Sequence, residues 1–305
     1  MGRRVSLAVI AAAYVVGLAV AVAWLTWGPS VGQLWADTLI ADVLATLVIF
    51  VVSRAVGNSS CYDAYWSVVP VFLLLYWWLE GDARHAGGPA RWRCALLAIV
   101  VVIWAVRLTV NWWRSFPGLV HEDWRYPLLR QRAGRLAFLA DLFAIHLIPT
   151  LQVFLAMVPA YVALTRPDDG LVWLSVVAFV VGLGAVALES AADRQLRLFR
   201  RTSEPGQTID VGVWAWSRHP NYFGEFMFWV SVFLFGIAAA PADAWWLWLG
   251  AAAMLGMFLG ASIPMMEQRS LERRVSYAAV IERVPMFVPL PPKGIRAVDD
   301  SQPAK

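Results

Sequence analysis

Trp216-Ser217-Arg218-His219-Pro220-Asn221-Tyr222-Phe223-Gly224-Glu225 joins a polar, arginine-rich segment to a long apolar one. Pro220 suits the first turn of a helix, where its missing N–H costs nothing and its fixed φ is already helical. The residue before a proline avoids the helical region, so His219 or Ser217 is the expected cap. The apolar run that follows reads as a membrane helix opening at Asn221. Asn221 and Glu225 are four apart and share a face, so Arg218, His219, Asn221 and Glu225 gather at its mouth. The partial positive charge and free N–H groups of a helix start suit a phosphate. The competing reading is an interfacial anchor, with Arg and Tyr among the lipid headgroups.

The rest of the chain carries the membrane reading. Of 305 residues, 60% are hydrophobic and 15% charged, with a mean hydropathy of +0.61; a soluble domain carries about 25% charge. Apolar spans are expected at about 5–26, 38–56, 64–80, 92–113, 136–164, 170–189, 221–240 and 243–263, near the roughly 20 residues a bilayer needs. The expected fold is all-α: a polytopic membrane helix bundle of about eight transmembrane helices. Ala21-Val22-Ala23 resembles a leader cleavage site, but the apolar core before it is long for a cleaved signal. Three segments are expected: an N-terminal hairpin (1–58), the main membrane domain (59–292) and a disordered tail (293–305), where prolines give way to polar residues.

With the N-terminus in the cytoplasm, all but four of the 25 basic residues fall on the inner side; the exceptions are Arg84, Arg91, Arg93 and Arg166. This bias predicts both termini cytoplasmic, in a bacterial inner membrane, with every arginine-rich loop facing cytosolic nucleotides. Nearly all the basic residues are Arg, a better fork for phosphate than Lys, although a GC-rich genome also favours Arg codons. Cys61 and Cys94 form no metal or redox motif, so neither a metal site nor a disulfide framework is expected. No repeat, zinc spacing, Walker loop, Gly-rich dinucleotide fingerprint or Ser-His-Asp pattern appears. Nothing points to nucleic acid; the expected partners are the lipid bilayer and a lipophilic small molecule.

Several polar clusters stand out. If the sixth span continues as a helix, Glu189, Asp193, Arg197 and Arg200 form one polar face. That face suits a dinucleotide, with carboxylates on ribose or amide groups and Arg on phosphates; the competing reading is an amphipathic helix on anionic lipid, with Asp193 and Arg197 an ordinary intrahelical pair. The loop from Arg107 to Arg132 mixes both charge signs with aromatic residues. It reads as a lid over a nucleotide, or as a loop folded down by its own ion pairs. Asp63 and Tyr65 open the third span, where an ionisable residue is a functional candidate. Asp141, His146 and Gln152 fall on different faces of the fifth span and are expected to reach neighbouring helices or a cavity. Glu267 and Arg269 follow the last span and read either as closing the same cytosolic site or as part of a solvated terminal helix.

Asp193 to Arg200, Gly212-Val-Trp214-Ala-Trp216-Ser-Arg218-His-Pro-Asn221-Tyr222-Phe-Gly-Glu225, Glu267 and the closing Val-Pro…Val-Pro together resemble the steroid 5-alpha-reductases. They resemble more closely the bacterial relatives of those enzymes, grouped as domain of unknown function 1295. The resemblance covers about 60–290 and is strongest after residue 120. The Arg-His-Pro-Asn-Tyr core is also similar to that of sterol C14 and C7 reductases, and a looser form occurs in isoprenylcysteine carboxyl methyltransferases. The resemblance implies NADPH-dependent reduction of a carbon–carbon double bond conjugated to a carbonyl. It implies cofactor contacts from Asp193, Arg197, Arg200, Asn221, Tyr222, Glu225 and the Glu267–Arg269 segment, with Arg218 and His219 matching the sterol-reductase form. Asp63 and Pro70 reproduce the spacing of the family's active carboxylate and proline, with Asp for Glu. Two positions depart from the pattern. Trp104 stands where the family has a proton-donating Tyr three residues before an Arg, and indole cannot replace a phenol as an acid. Glu189 replaces an Asn.

The expected chemistry is therefore hydride transfer from NADPH to an activated alkene of a steroid- or isoprenoid-like lipid. Asp63 would polarise the carbonyl. Tyr65 or Tyr126 would supply the proton that Trp104 cannot, unless the substrate differs. One alternative is an S-adenosylmethionine-dependent methyltransferase, although clustered Arg fits the polyanionic NADPH better than a sulfonium. The other is a non-enzymatic scaffold or transporter, which predicts midplane charges and inverted repeats instead.

Overall fold

The computed structural model describes residues 1–167 and 170–292; the tail from Lys293, expected to be disordered, lies outside them. Among the described residues there are helices and no strands. In chain order these are α1 (Arg3–Trp27), α2 (Leu34–Val56), α3 (Tyr65–Glu80), α4 (Gly88–Ser115), α5 (Arg125–Ala133), α6 (Ala137–Leu139) and α7 (Ile148–Thr165). They continue with α8 (Val172–Thr202), α9 (Pro220–Ala239), α10 (Ala244–Leu247), α11 (Leu249–Met257), α12 (Ile263–Arg273) and α13 (Tyr277–Arg283). Among the described residues, seven helical runs are long and apolar enough to cross a membrane: α1, α2, α4, 125–165, α8, α9 and 241–273. The chain is an all-α, polytopic, multi-pass membrane protein.

Local chemistry explains the breaks. Gly57 ends α2 in the left-handed conformation, φ 66°, which an L side chain resists. Two π-helical segments, Ala140–Leu147 and Phe258–Ser262, each stop two residues before a proline, Pro149 and Pro264. A proline cannot donate to the preceding turn and crowds it, and the wider π turn absorbs the mismatch. The sixth span does continue as a helix: α8 runs unbroken to Thr202.

The chain forms two compact units. The first comprises Met1–Val180 with Trp229–Met254, and the second Val181–Phe228 with the chain from Leu255 onward. In the first, α7 is central: Met157, Ala160 and Ala163 are fully buried, and Trp77 of α3 sets its ring edge-on to Phe154 and Tyr161. Gly236 of α9 lies so close to α7 that an added Cβ would fall 2.6 Å from Pro159 Cβ. The α1–α2 hairpin packs through Ile10, Ala13, Ala45 and Ile49 onto Tyr62 and Tyr65.

Hydrogen bonds define two ends of this unit. At one end Arg3 donates to the carbonyls of Phe116 and Trp113 at 2.9 and 2.6 Å. There Asn58 donates to Leu119 at 3.0 Å, and Arg54 pairs with Asp141 at 3.0 Å. At the other, buried Arg93 donates to the carbonyls of Ala163 and Arg166, where a helix C-terminus favours a cation. Helix α3, read as the third span, has only 16 residues, about 24 Å. It nevertheless runs from the first end to the second, since Gly81, directly after it, packs against the Leu164 carbonyl.

Candidate functional site

The polar end of the first unit is built on the 3-10 turn Ser59–Tyr62 and the chain after α4. Asn58 caps the turn by accepting from the Ser60 N–H at 2.9 Å. The segment 116–124 folds down onto it: Glu122 accepts from the Ser59 N–H at 2.7 Å, and Ser60 Oγ accepts from the Asp123 N–H at 3.0 Å. Arg130 bridges Glu122 and Asp141, and Asp141 also accepts from Ser59 Oγ at 2.8 Å. Of the two readings of this loop, internal pairing is the one its geometry matches. His146 is fully buried. Its Nδ1 lies 2.7 Å from the Asp141 carbonyl, a five-residue step that the π segment creates, and its Nε2 lies 3.2 Å from Ser53 Oγ. Gln152 donates to the Ala253 carbonyl of α11 at 2.9 Å. Asp141, His146 and Gln152 are thus tied to neighbours, as polar groups in a bilayer must be.

A cavity of about 410 Å³ opens beside this turn, lined by Asp63, Trp66, Asn111, Trp112, Arg125 and Tyr126 among others. On its wall the Tyr126 phenol donates to Asp63 Oδ1 at 2.6 Å. Burial pushes the Asp63 carboxyl up to about 7, against the lowering effect of that hydrogen bond. Trp104 is fully buried, with its ring packed against Trp66 and edge-on to Trp229. Tyr65, the third catalytic candidate, is elsewhere: its hydroxyl donates to Asp42 Oδ1 at 3.0 Å. The structure therefore brings Asp63 and Tyr126 together and sets Tyr65 apart. Cys61 and Cys94 are both free and buried.

In the second unit, the chain after α8 folds back over it. Trp214 Nε1 donates to the Ala192 carbonyl and the Val213 N–H to Gln195 Oε1, both at 3.0 Å. Ala192, Ile209 and Trp214 form a small core with Leu196 and Phe199. This leaves Asp193, Arg197 and Arg200 on the neighbouring face of α8, one turn apart; Asp193 and Arg197 are half-buried and Arg200 is exposed. Buried Glu189 starts the same face. A Cβ on Gly224 would lie 2.5 Å from Glu189 Cγ, so α9 meets α8 at this carboxylate, one residue before buried Glu225.

The decapeptide starts a helix as its sequence predicts, one residue before the expected Asn221. Pro220 opens α9, the Phe223 N–H donates to the His219 carbonyl at 3.0 Å, and Ser217 Oγ accepts from the His219 N–H at 3.1 Å. The closing Val-Pro segment runs against it: the Arg218 N–H donates to Pro285 and the Leu290 N–H to Trp216. Glu267 Oε1 gathers Arg218 Nε at 2.7 Å, His219 Nε2 at 3.1 Å and the Tyr277 hydroxyl at 3.3 Å. Burial and the Glu267 charge raise the Tyr277 phenol above its usual range. The rest of the Arg218 fork donates to the carbonyls of Ile281 and Val284, so this guanidinium locks the segment after α12. Tyr222 stacks between His219 and Phe258, with ring centroids 5.7 and 5.1 Å away. Asn221 and Arg269 are half-buried on α9 and α12. Sequence reasoning missed Asp42 and the helix-capping role of Arg93. An ionisable residue inside an apolar run was the available signal for both.

A family model described as protein of unknown function (DUF1295) matches residues 49–284. An uncharacterized protein of Schizosaccharomyces pombe is 27% identical over 270 residues, covering 79% of this chain and 76% of the yeast protein. No solved structure matches the chain.

Proposed function

The chain belongs to the DUF1295 family, and from that premise we propose that it is an NADPH-dependent membrane reductase. It transfers hydride to a conjugated carbon–carbon double bond of a lipophilic, steroid- or isoprenoid-like substrate. The site faces the cytoplasm of a bacterial inner membrane and both termini are cytoplasmic. The observation that carries the reading is the 2.6 Å contact between Tyr126 and Asp63 on the wall of a cavity. With the phenol donating to Oδ1, a protonated Asp63 can donate its own proton in a hydrogen bond to a substrate carbonyl. Polarising that oxygen stabilises the enolate that forms as hydride reaches the β-carbon. The proton that completes the reduction then comes from Asp63, with Tyr126 steadying the carboxyl.

For the cofactor, the residues present fit a polyanion with ribose hydroxyls. Arg197 and Arg200 suit phosphates bidentately, and Asp193, Asn221 and Glu225 suit hydroxyl and amide groups. NADPH, when bound, supplies the hydride. Arg218, His219, Tyr222, Glu267 and Arg269 support this surface, and Arg218 does so by holding the backbone around it.

Purified protein in detergent should bind NADPH, seen as enhanced nicotinamide fluorescence, and should not bind S-adenosylmethionine. Arg197→Ala should weaken NADPH binding about tenfold, equivalent to about 1.4 kcal/mol. With a 3-oxo-4-ene steroid and an isoprenoid enone as probes, Asp63→Asn should lower turnover by 100-fold or more. Binding of the methyl donor without NADPH would move the assignment to methyl transfer. Unchanged turnover in Asp63→Asn would remove Asp63 from the chemistry.

A further inference from the structure

A second cavity, of about 360 Å³, lies between α1, α2 and α3. Its walls are almost wholly apolar, with Leu18 and Val69 within and Val15, Phe72 and Leu75 at its margin. Those three margin residues are exposed, so the cavity opens sideways on the face that lipid covers. Its floor carries one carboxyl. Asp42 lines the cavity and is 5% exposed. The Tyr65 phenol donates to its Oδ1 at 3.0 Å and lies 3.3 Å from its carbonyl oxygen. Among the described residues no donor reaches Asp42 Oδ2 and no cation pairs with Asp42. Two other polar groups on the wall are engaged: Tyr14 donates to the Cys61 carbonyl at 2.9 Å, and Thr38 Oγ1 donates to the Leu34 carbonyl while accepting from Trp77 Nε1; Tyr76, half-buried, also lines the cavity. The Tyr65 ring is wedged between Tyr14 and Tyr62 at 5.7 and 5.4 Å, which fixes the pair.

A carboxyl oxygen left without a donor inside a membrane helix is costly, and here the carboxyl belongs to a residue that lines a lipid-open groove. We infer that this groove binds a neutral lipid alcohol, whose hydroxyl donates to Asp42 Oδ2 and whose hydrocarbon body fills the apolar walls. The volume lies within the range of small-molecule sites. A single buried polar anchor matches a molecule with one polar end. A phospholipid does not fit, because its charged headgroup belongs at the interface and Asp42 lies well inside a 23-residue apolar helix. Asp42 and all of α1 also precede the family-matched region, which begins at residue 49. The site is thus built largely from a part of the chain outside that match, and it stands independently of the reductase reading.

The test uses full-length protein in lipid nanodiscs without NADPH. The probe is a farnesol analogue bearing a diazirine on its chain, with labelled peptides located by mass spectrometry. Labelling should concentrate in α1–α3 and be competed by farnesol but not by farnesyl methyl ether, which has no donor hydrogen. Asp42→Leu should reduce it at least fivefold. Val69→Trp, which fills the groove and leaves the carboxyl in place, should do the same, and this variant decides the matter should Asp42→Leu fail to fold. Labelling outside α1–α3, equal competition by the methyl ether, or a folded variant labelled as strongly as the natural chain would overturn the inference.

Discussion

Single side chains divide into those that hold the structure and those placed to act on something else. Asp63 is proposed to be of the second kind, and its titration makes the proposal testable. Unfolded, an Asp titrates near 3.9; folded, burial holds this one at about 7. The folded state keeps its proton longer, so the stability contributed is full below about pH 4 and is lost as pH rises through about 7. Thermal melts of the natural chain in detergent should therefore fall by roughly 3–6 °C between pH 5 and pH 8 relative to Asp63→Asn. Parallel curves for the two proteins would mean that Asp63 carries no such shift. Glu267 is of the first kind, since one of its oxygens receives Arg218, His219 and Tyr277. Removing it strands a half-buried guanidinium. Glu267→Ala should then lower the melting temperature by roughly 5–10 °C. Arg200→Ala, at an exposed position, should leave melting within about 1–2 °C while weakening NADPH binding. A normal melt for Glu267→Ala would place Glu267 among the ligand-holding groups instead.

At the level of helices, close approach decides which glycines matter. An added Cβ at Gly236 meets Pro159 Cβ at 2.6 Å and Cα at 2.9 Å, whereas at Gly256 it meets nothing within 4 Å. Gly236→Ala must push α9 off α7 and should cost about 1–3 kcal/mol. Gly256→Ala should be neutral or gain up to about 1 kcal/mol, because Ala restricts the unfolded chain; denaturant titration of the two variants checks the contrast. Much of this element structure is legible in the chain. The start of α9 at Pro220 follows from proline's own geometry, and the extension of α8 past Glu189 follows from the spacing of Asp193, Arg197 and Arg200. Other features rest on long-range contacts that no local pattern encodes. The π segments are a joint product of a proline and the packing upstream of it. The pairing of Tyr126 with Asp63 spans 63 residues, and the diversion of Tyr65 to Asp42 spans 23; spacing along the chain cannot choose between those phenols. Arg218, expected at the cofactor site, also holds Glu267 49 residues away and carbonyls 63 and 66 residues away, contacts that its sequence neighbours do not reveal.

For the whole molecule, the question is which way the helices cross, and α3 decides it. Its 16 residues are short for a hydrocarbon core about 30 Å thick, so hydropathy alone would let it be passed over. If it did not cross, the starts of α1 and α4 would lie at one end and Arg3 would be far from the end of α4. Instead Arg3 hydrogen-bonds the Phe116 and Trp113 carbonyls just there, while Arg93, near the start of α4, reaches Arg166 at the opposite end. Counting α3, the arginines near Arg3, Arg54 and Arg130 share one side, and Arg84, Arg93 and Arg166 share the other. The proposed orientation, with the first side cytoplasmic, is the one the positive-inside rule favours. Cysteine labelling tests this without disturbing the core, because Cys61 and Cys94 are buried and burial pushes the Cys61 thiol up to about 11, leaving it unreactive. In right-side-out spheroplasts an impermeant maleimide should label His85→Cys at once, and Glu204→Cys only after permeabilisation. The reverse pattern would turn the arginine-rich loops away from the cytosolic NADPH pool and remove the supply of reductant that the proposed reaction needs. Val31→Cys, exposed in the α1–α2 loop, should be labelled together with His85→Cys; labelling of only one of the two at once would mean that α3 fails to cross.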